Sequence, residues 1–336
     1  MNKPAKRVSL VIPTYGRPDD LSRLLDSLKA HKYLTKDWLE VIVVDNNPDK
    51  SARTAVNDAC RKYKVKFAHE DTQGKAFAVN RGIRIASGEF IANTDDDTVV
   101  AQDDWLELML AHFDEHPKLA YVSGNVVAMN LEDGVAGMWE KKGGLSKGLK
   151  PKYWSREFLE SARFKYKPWQ FKDMCAGANN MVRRSVLTQI GGYSILLEGV
   201  PPFQAGGTIE IGYRIARAGY ELLYDPNARI LHEHPTEGKE LWHKMFAYGQ
   251  GDTGYQMSNF LQYGDLRCLW WSLVGHSCYT ISQKLVKRAF GKYPLATSYI
   301  LAGLFGNIIG GPRFAWNYFL KGRKMMNHYK QVAGDM

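Results

Sequence analysis

Three consecutive carboxylates, Asp95, Asp96 and Asp97, follow a short β-prone stretch at residues 89–92. Adjacent acids repel one another, whereas a divalent cation makes such a cluster favourable, because hard oxygen ligands suit Mg²⁺ or Mn²⁺. These cations commonly bind through one or two carboxylates and complete their coordination with substrate phosphates. The cluster therefore indicates diphosphate chemistry, with a solvated acidic turn as the alternative interpretation.

The elements that would position these acids alternate between apolar runs and helical patterns. Apolar runs at residues 8–12, 39–44, 64–68 and 90–92 predict strands, and residues 51–62 and 76–86 predict helices. Asp19 is predicted to cap a further helix whose apolar face carries Leu21, Leu24, Leu25 and Leu28. This alternation predicts a parallel α/β sheet, in which ligands bind beyond the carboxyl ends of the strands. Three predicted strand ends carry polar groups, namely Thr14-Tyr15, Asp45-Asn46 and Asp95–Asp97.

The bulk composition indicates a globular protein with two basic segments. The chain has 336 residues, 45% of them hydrophobic, and a formal charge of +10. Residues 141–172 and residues 264–336 each carry ten Lys or Arg against two acids. These segments predict an anionic partner surface, and lipid headgroups fit better than nucleic acid, because no nucleic-acid-binding module is recognisable. The four cysteines have no metal or redox spacing, which favours a reduced environment.

Several motifs occur together in an order that is typical of one family. In the first hundred residues they are Val8–Tyr15 with Pro13 before its end, Val43–Asn47, Gly74–Gly82 with the pattern Gly-x-x-x-Ala-x-Asn-x-Gly, and Asp95–Asp97. Further fragments lie at residues 177–186, 191–193, 210–214 and 218–226. Over residues 7–255 the chain thereby resembles inverting nucleotide-sugar glycosyltransferases of family 2, of bacterial surface-polysaccharide type. The resemblance implies a GT-A fold, with a mainly parallel sheet and helices on both faces.

The resemblance also implies roles on the donor side. Asp45, with Asn46 beside it, would recognise the nucleobase, although a turn or helix-cap role is the alternative. Gly74, Lys75 and Asn80 would bind the donor where a helix N-terminus favours phosphate, although Gly74 is equally consistent with a plain turn. Asp95 and Asp97 would hold Mn²⁺ or Mg²⁺, with Asp96 as a supporting residue. Pro13, Thr14 and Tyr15 would form the nucleotide-binding turn.

On the acceptor side, the resemblance implies a second group of residues. They are Gly177, Asn179, Arg214 and Trp242 for the substrate, and His232 or His234 near the metal or diphosphate. The two histidines share a face if the preceding strand continues, and a packing role is the alternative for both.

The chain departs from the family at the catalytic base. The usual Glu-Asp pair aligns with Gly207-Thr208, and neither residue can accept a proton. Glu210 is the nearest carboxylate and is the predicted base, whereas Asp173 and Glu198 are more distant in the sequence. An ion pair between Glu210 and Arg214, four residues later, is the alternative interpretation.

The domain and partner predictions follow from the C-terminal region. Residues 1–255 are predicted to form the GT-A domain (1–104 nucleotide-binding, 105–255 acceptor half), with a basic loop at 141–172 and helices over 256–336. The nineteen residues 294–312 carry no charge but contain four glycines, so an interfacial helix pair is favoured over a spanning helix, with a packed helical subdomain as the alternative. The predicted donor is a nucleoside-diphosphate sugar, UDP being favoured, and the acceptor a polyprenyl-linked glycan, with a soluble acceptor as the alternative. The expected location is the cytoplasmic face of the inner membrane, as a peripheral or monotopic protein.

The sequence features also bear on three rival functions. A processive polysaccharide synthase is disfavoured, because such enzymes carry several spanning helices and a Gln-x-x-Arg-Trp motif, which this sequence lacks. A nucleotide-sugar-binding subunit without catalysis would explain Gly207-Thr208. A nucleic-acid-binding protein is disfavoured for want of a recognised module.

Overall fold

The computed structural model describes residues 7–50, 52–63, 65–129, 134–161, 168–199 and 203–322. Within this part of the chain, nine strands form one sheet. They are β1 (Val8–Thr14), β2 (Leu39–Asp45), β3 (Lys66–His69), β4 (Phe90–Asn93), β5 (Thr98–Val100), β6 (Leu119–Ala128), β7 (Lys152–Trp154), β8 (Asn180–Arg183) and β9 (Glu221–His232).

Helices cover both faces of this sheet and form the C-terminal region. They are α1 (Pro18–Ala30), α2 (Ala52–Tyr63), α3 (Lys75–Ile85), α4 (Trp105–Glu115), α5 (Val135–Lys141), α6 (Arg156–Glu160), α7 (Arg184–Ile190), α8 (Gly207–Arg217), α9 (Gly238–Tyr263), α10 (Leu266–Trp270), α11 (His276–Tyr279), α12 (Val286–Ala289) and α13 (Thr297–Asn317). Turns of π-helix at Trp271–Gly275 and Thr280–Leu285 join α10, α11 and α12.

The sheet is mixed. Its order is β3-β2-β1-β4-β8-β6-β9-β5, with β7 beside β9. The first four strands are mutually parallel, β8 is antiparallel to both β4 and β6, and β9 is parallel to β6. Thr14 pairs with Asp45, so the ends of β1 and β2 lie at one edge, and β4 ends beside β1. That edge receives the acidic turn after β4, as the sequence pattern predicts.

Two apolar cores lie on opposite faces of the sheet, which explains why β1 and β2 are buried along their whole length. All seven residues of β1 are buried, and so are all seven of β2. One core packs α1 and α4 against the sheet, and the other packs α3 and α8. The predicted apolar face of α1 is confirmed, because Leu21, Leu24, Leu25 and Leu28 are all buried.

Two local predictions are wrong. Asp19 does not cap α1, because the helix begins at Pro18, with Arg17 at the N-cap position and no side-chain cap bond. Proline suits this first helical position, since its missing N–H would have no partner there. The segment 141–172 is not one long loop, because it contains β7 and α6. Tyr224 of β9 pairs with Lys152 of β7, which adds this segment to the sheet; its residues 162–167 lie outside the described part.

The C-terminal helices pack on the rest of the protein through α9. The predicted boundary at residue 255 falls within this 26-residue helix. Helix α13 lies close along α9, because a Cβ on Gly249 would approach the Gly303 carbonyl to 2.2 Å and one on Gly306 would approach the Phe246 carbonyl to 2.3 Å. Among the described residues, no helix combines the length and the apolar character that crossing a membrane requires.

Candidate active site

The turn between β4 and β5 carries the three carboxylates, and its central member faces the protein interior. Asp96 is buried and accepts a 2.8 Å hydrogen bond from the hydroxyl of Thr14, at the end of β1. Burial raises the pKa of Asp96 to about 6, despite this hydrogen bond. Asp96 therefore joins the turn to β1, and its neighbours Asp95 and Asp97 are partly exposed.

Asp95, Asp97 and His232 form a group that could hold a metal ion. One ligand atom from each lies within 4.8 Å of the others. Strand pairing produces this group, because Thr98 of β5 lies opposite His232 at the end of β9. The imidazole Nδ1 is 2.6 Å from the Glu233 carbonyl, which can only accept, so Nδ1 carries a proton.

The protonation and bonding of this group fit a divalent cation. With Nδ1 donating, the His232 Nε2 of a neutral ring presents a lone pair 3.3 Å from Asp97 Oδ1. That oxygen is buried and accepts no hydrogen bond in the described structure. Two acceptor atoms facing each other at this distance are stabilised by a cation between them. Two carboxylates favour a hard ion such as Mn²⁺ or Mg²⁺, and the imidazole adds a softer ligand.

Two cationic side chains border the acidic turn. Lys75, at the start of α3, lies 2.6 Å from Asp95, and Arg17 lies 2.7 Å from Asp97. Burial raises the pKa of Asp95, but the charge and hydrogen bond of Lys75 outweigh it and hold this pKa below its ordinary value. The turn is thus a charged site with two cations placed to contact an anionic ligand.

A cavity opens beside Asp95 and joins the two halves of the sheet. Predicted site residues on its wall are Pro13, Lys75, Asp95 and Gly177. Residues that the sequence reasoning did not assign also line it: Asn93, Thr94, Tyr193, Glu198 and Thr208. Most of these are separated widely in the sequence and meet only through the order of β1, β4 and β8, so no local pattern could have identified them.

The predicted nucleobase-binding residues have structural contacts instead. Asp45 is fully buried and accepts hydrogen bonds from the backbone N–H groups of Asn47 and Ala52, which hold the turn into α2. Asn46 accepts from the Gly74 N–H and donates to two loop carbonyls. These contacts match the turn and cap alternative for Asp45.

The start of α3 is closed by a loop of the acceptor half. Gly74 has a φ of +142°, and a Cβ there would approach the Gly199 carbonyl to 2.1 Å. The Ala76 N–H, in the first helical turn, is bonded to the Glu198 carbonyl at 3.2 Å. The absence of a side chain at Gly74 therefore makes room for the backbone of Gly199. The Ala76 N–H is already bonded to a protein carbonyl.

Two predicted substrate-binding asparagines do not line the cavity. Asn80 exchanges two 2.8 Å hydrogen bonds with the backbone of Tyr193. Asn179 accepts from the Trp105 indole and donates to the carbonyls of Asn125 and Ala228. Both side chains are buried and join segments that are distant in the sequence, so they position the site without contacting its cavity.

The predicted base and its neighbour form a buried ion pair, which corrects the assignment of Glu210. Its side chain is 0% exposed and lies 2.8 Å from Arg214. Arg214 also donates to the carbonyls of Ile190 and Gly192, both at 2.6 Å. A carboxylate without any solvent-accessible surface cannot contact an acceptor hydroxyl, so the helical i,i+4 pair is the correct interpretation.

Of the remaining predicted residues, two are partly exposed and one contacts a glutamate of α5. Tyr15 and Trp242 are partly exposed, and Trp242 stacks on Phe246 at 5.8 Å. His234 lies 2.5 Å from Glu140 of α5 and does not belong to the Asp95–Asp97–His232 group. Strand β9 ends at His232, so the alternation that would place both histidines on one face stops there.

The fold and the site together define a GT-A-like protein. A mannosyltransferase from Pyrobaculum calidifontis, solved in complex with GDP-Man and Mn²⁺, has a TM-score of 0.61 to this chain at 17% identity. The comparison covers 94% of this chain and 89% of that one, and it shows the fold.

Sequence comparison gives the family. The model of glycosyl transferase family 2 matches residues 9–191, and the chain belongs to this family. A pre-mycofactocin glycosyltransferase of Mycobacterium tuberculosis is 27% identical over 246 residues, which are 72% of this chain but only 46% of that protein. A glucosyl-dolichyl phosphate glucuronosyltransferase of Haloferax volcanii is 25% identical over 267 residues, covering 72% of this chain and 75% of that protein.

Proposed function

We propose that this protein transfers a sugar from a nucleoside-diphosphate sugar to a hydroxyl of a lipid-linked glycan, with inversion at the anomeric carbon. UDP is the favoured nucleotide, and surface polysaccharide assembly is the proposed process. The observation that carries the proposal is the Asp95–Asp97–His232 group beside a cavity at the carboxyl ends of the parallel strands. This edge is where sheets of this kind bind ligands.

Asp95, Asp97 and His232 would hold Mn²⁺ or Mg²⁺, which when bound supplies positive charge to the leaving diphosphate. Lys75 and Arg17 contribute from the protein side, since both already contact the acidic turn. A lysine behaves towards phosphate as a point charge, and an arginine can form two parallel hydrogen bonds. Tyr193 and Gly177 shape the cavity on its acceptor side.

A basic cluster, defined as Lys142, Lys172, Lys284 and Asp252, supports an anionic acceptor. Burial and repulsion from Lys284 and Lys172 lower the pKa of Lys142 to about 7. Burial raises the pKa of the Asp252 carboxyl, but the charges of Lys172, Lys284 and Lys142 outweigh it and hold this pKa below its ordinary value. A phosphate or diphosphate on the acceptor would relieve the repulsion among the lysines.

Aromatic side chains connect the basic cluster to the donor side. Lys142 Nζ lies 4.2 Å from the ring centroid of Trp139, and Trp139 stacks on Tyr248 at 5.9 Å. Burial raises the pKa of Tyr248 to about 12, and the charges of Lys75 and Asp95 also act on it. Tyr248 thus adjoins the ring that contacts the basic cluster, which fits an acceptor whose phosphate binds at that cluster.

The C-terminal helices support the proposed position at the cytoplasmic face of a membrane. Among the described residues, fourteen of the eighteen exposed large apolar side chains lie in the C-terminal helical region. On α13 and the turn after it, exposed side chains recur at helical spacing and share one face. The fourteen are Leu266, Trp270, Leu273, Val274, Tyr279, Ile281, Val286, Phe290, Leu301, Phe305, Ile308, Trp316, Phe319 and Leu320.

A transfer assay tests the proposal. Purified full-length protein is incubated with Mn²⁺, a panel of UDP-, dTDP- and GDP-sugars, and a polyprenyl-diphosphate-linked glycan, and the labelled lipid product is measured. Product should form with one nucleotide and should be lost in Asp97→Asn. The absence of product with every donor would contradict transfer, and donor binding without product would favour a non-catalytic nucleotide-sugar-binding subunit.

A further inference from the structure

Because Glu210 is fully buried, the proposed transfer reaction needs another base. The acidic pair of the family is replaced by Gly207-Thr208, at the start of α8. A different carboxylate occupies that place. Glu198 Oε1 accepts a 2.8 Å hydrogen bond from the Gly207 N–H.

The space beside residue 207 is filled by the Glu198 side chain. A Cβ built on Gly207 would lie 3.2 Å from both Cδ and Oε1 of Glu198, and 3.4 Å from Oε2. A side chain at 207 would therefore point into this carboxylate. An acidic side chain at 207 and the Glu198 carboxylate would compete for the same space, so the absence of the first accompanies the presence of the second.

The backbone around Glu198 is built to hold this position. Its φ is +63°, in the left-handed region that residues other than glycine rarely adopt. The Glu198 carbonyl accepts from the Ala76 N–H, and a Cβ on the next residue, Gly199, would approach the Ile195 carbonyl to 2.3 Å. Strain of this kind persists where the surrounding structure enforces it, often at functional sites.

Glu198 faces the same cavity as the proposed metal and donor residues. It lines the wall with Lys75 and Asp95 and is partly exposed there, in contrast to the fully buried Glu210. Burial raises its pKa, although Lys75 and the Gly207 N–H lower it. A carboxylate has about four lone-pair positions, so the backbone bond leaves capacity for an acceptor hydroxyl.

We propose that Glu198 is the general base of this enzyme, acting from a loop before α8 in place of the acidic pair at its start. This inference rests on the proposed transfer function. The acceptor hydroxyl gives its proton to the Glu198 carboxylate while its oxygen forms the bond to the anomeric carbon. The bond from that carbon to the diphosphate oxygen breaks, and its electron pair leaves on the nucleoside diphosphate.

Glu198→Gln tests the base without removing the hydrogen bond at the start of α8, because a Gln oxygen can still accept the Gly207 N–H. General-base catalysis typically contributes about 10²–10⁴ in rate, so kcat should fall by at least ~100-fold. The Tm and the calorimetric affinity for the nucleotide sugar with Mn²⁺ should stay near wild type. Glu210→Gln is the matched comparison, and it should lower the Tm while the kcat of the folded protein stays within about threefold of wild type.

A rescue variant separates proton transfer from a structural role. Glu198→Ala makes room beside residue 207, and adding Gly207→Glu with Thr208→Asp restores the usual acidic pair. The kcat of the triple variant should be at least tenfold higher than the kcat of Glu198→Ala. A wild-type protein that transfers no sugar would overturn both proposals. An active wild type with an equally active Glu198→Gln, or a triple variant without any recovery, would overturn the base alone.

Discussion

The proposed membrane association through the apolar face of α13 predicts a large effect of two substitutions. Ile308→Ser and Trp316→Ser change side chains that are 54% and 67% exposed and are eight residues apart on one helix face. Neither is part of the proposed active site, so donor binding should not change. The double variant should therefore separate membrane partition from catalysis.

The magnitude follows from the exposed apolar area. Two-thirds of a Trp side chain of roughly 250 Å² is about 160 Å², worth about 4 kcal/mol at ~25 cal/mol per Å². The exposed half of Ile308 adds about 2 kcal/mol. Immersion of half this area in the headgroup and acyl boundary gives about 3 kcal/mol, or about two orders of magnitude in the partition coefficient.

Sedimentation with vesicles measures this effect directly. Vesicles that contain anionic lipid are titrated into wild type, the double variant and Leu149→Ser, a control at an exposed leucine outside the C-terminal helices. The double variant should partition about 100-fold more weakly, and the control should match wild type. Equal partition of the double variant and wild type, with unchanged Tm, would refute the membrane assignment of this face.

Three further results are expected. His232→Gln should weaken Mn²⁺ binding at least tenfold by calorimetry. His234→Gln, which removes the contact to Glu140, should leave Mn²⁺ affinity unchanged, and equal effects would contradict the assignment. Burial raises the pKa of Glu40, but hydrogen bonds from Lys66 and two serines outweigh this and hold the pKa at about 2. Its folded pKa lies below the unfolded value, so it stabilises the fold by roughly 3 kcal/mol at pH 7, an amount lost as the pH falls from about 4.5 towards 2. Urea unfolding of Glu40→Gln should thus differ from wild type at pH 7 and much less at pH 3, and a constant difference would contradict this account. Lys142→Met should raise the Tm at pH 7, because it removes a partly buried charge from among like charges. The same substitution should weaken acceptor binding. A lower Tm would contradict the proposed repulsion among the lysines.

The local parts of the fold could be predicted from the sequence, because they depend on neighbouring residues. The apolar runs of β1 and β2 and the leucine spacing of α1 each identify an element directly. The mixed order of the sheet could not be predicted in this way, since β8 and β9 add to it from distant parts of the chain. The β7–β9 pairing likewise turns a basic segment that resembles a loop into part of the sheet.

The site shows the same division between local and distant contacts. The acids at 95–97 can be identified because they are adjacent. The family resemblance names His232 or His234, and only the structure shows that His232 is the one beside the acids. Glu198 could not be identified as the carboxylate beside residue 207, because its bond to the Gly207 N–H joins residues nine positions apart and is part of no regular element. Asn80 and Asn179 match family motifs for a structural reason, which is to join distant backbone segments.

Nucleotide-sugar binding to the acidic turn is the central claim, and a calorimetric titration tests it most directly. Nucleotide sugar is titrated into wild type with Mn²⁺, into wild type after chelation, and into the double variant Asp95→Asn with Asp97→Asn. Binding should require the metal, and its affinity should fall at least tenfold both after chelation and in the variant. Equal affinity under all three conditions would contradict the assignment of Asp95 and Asp97 to the metal and donor site.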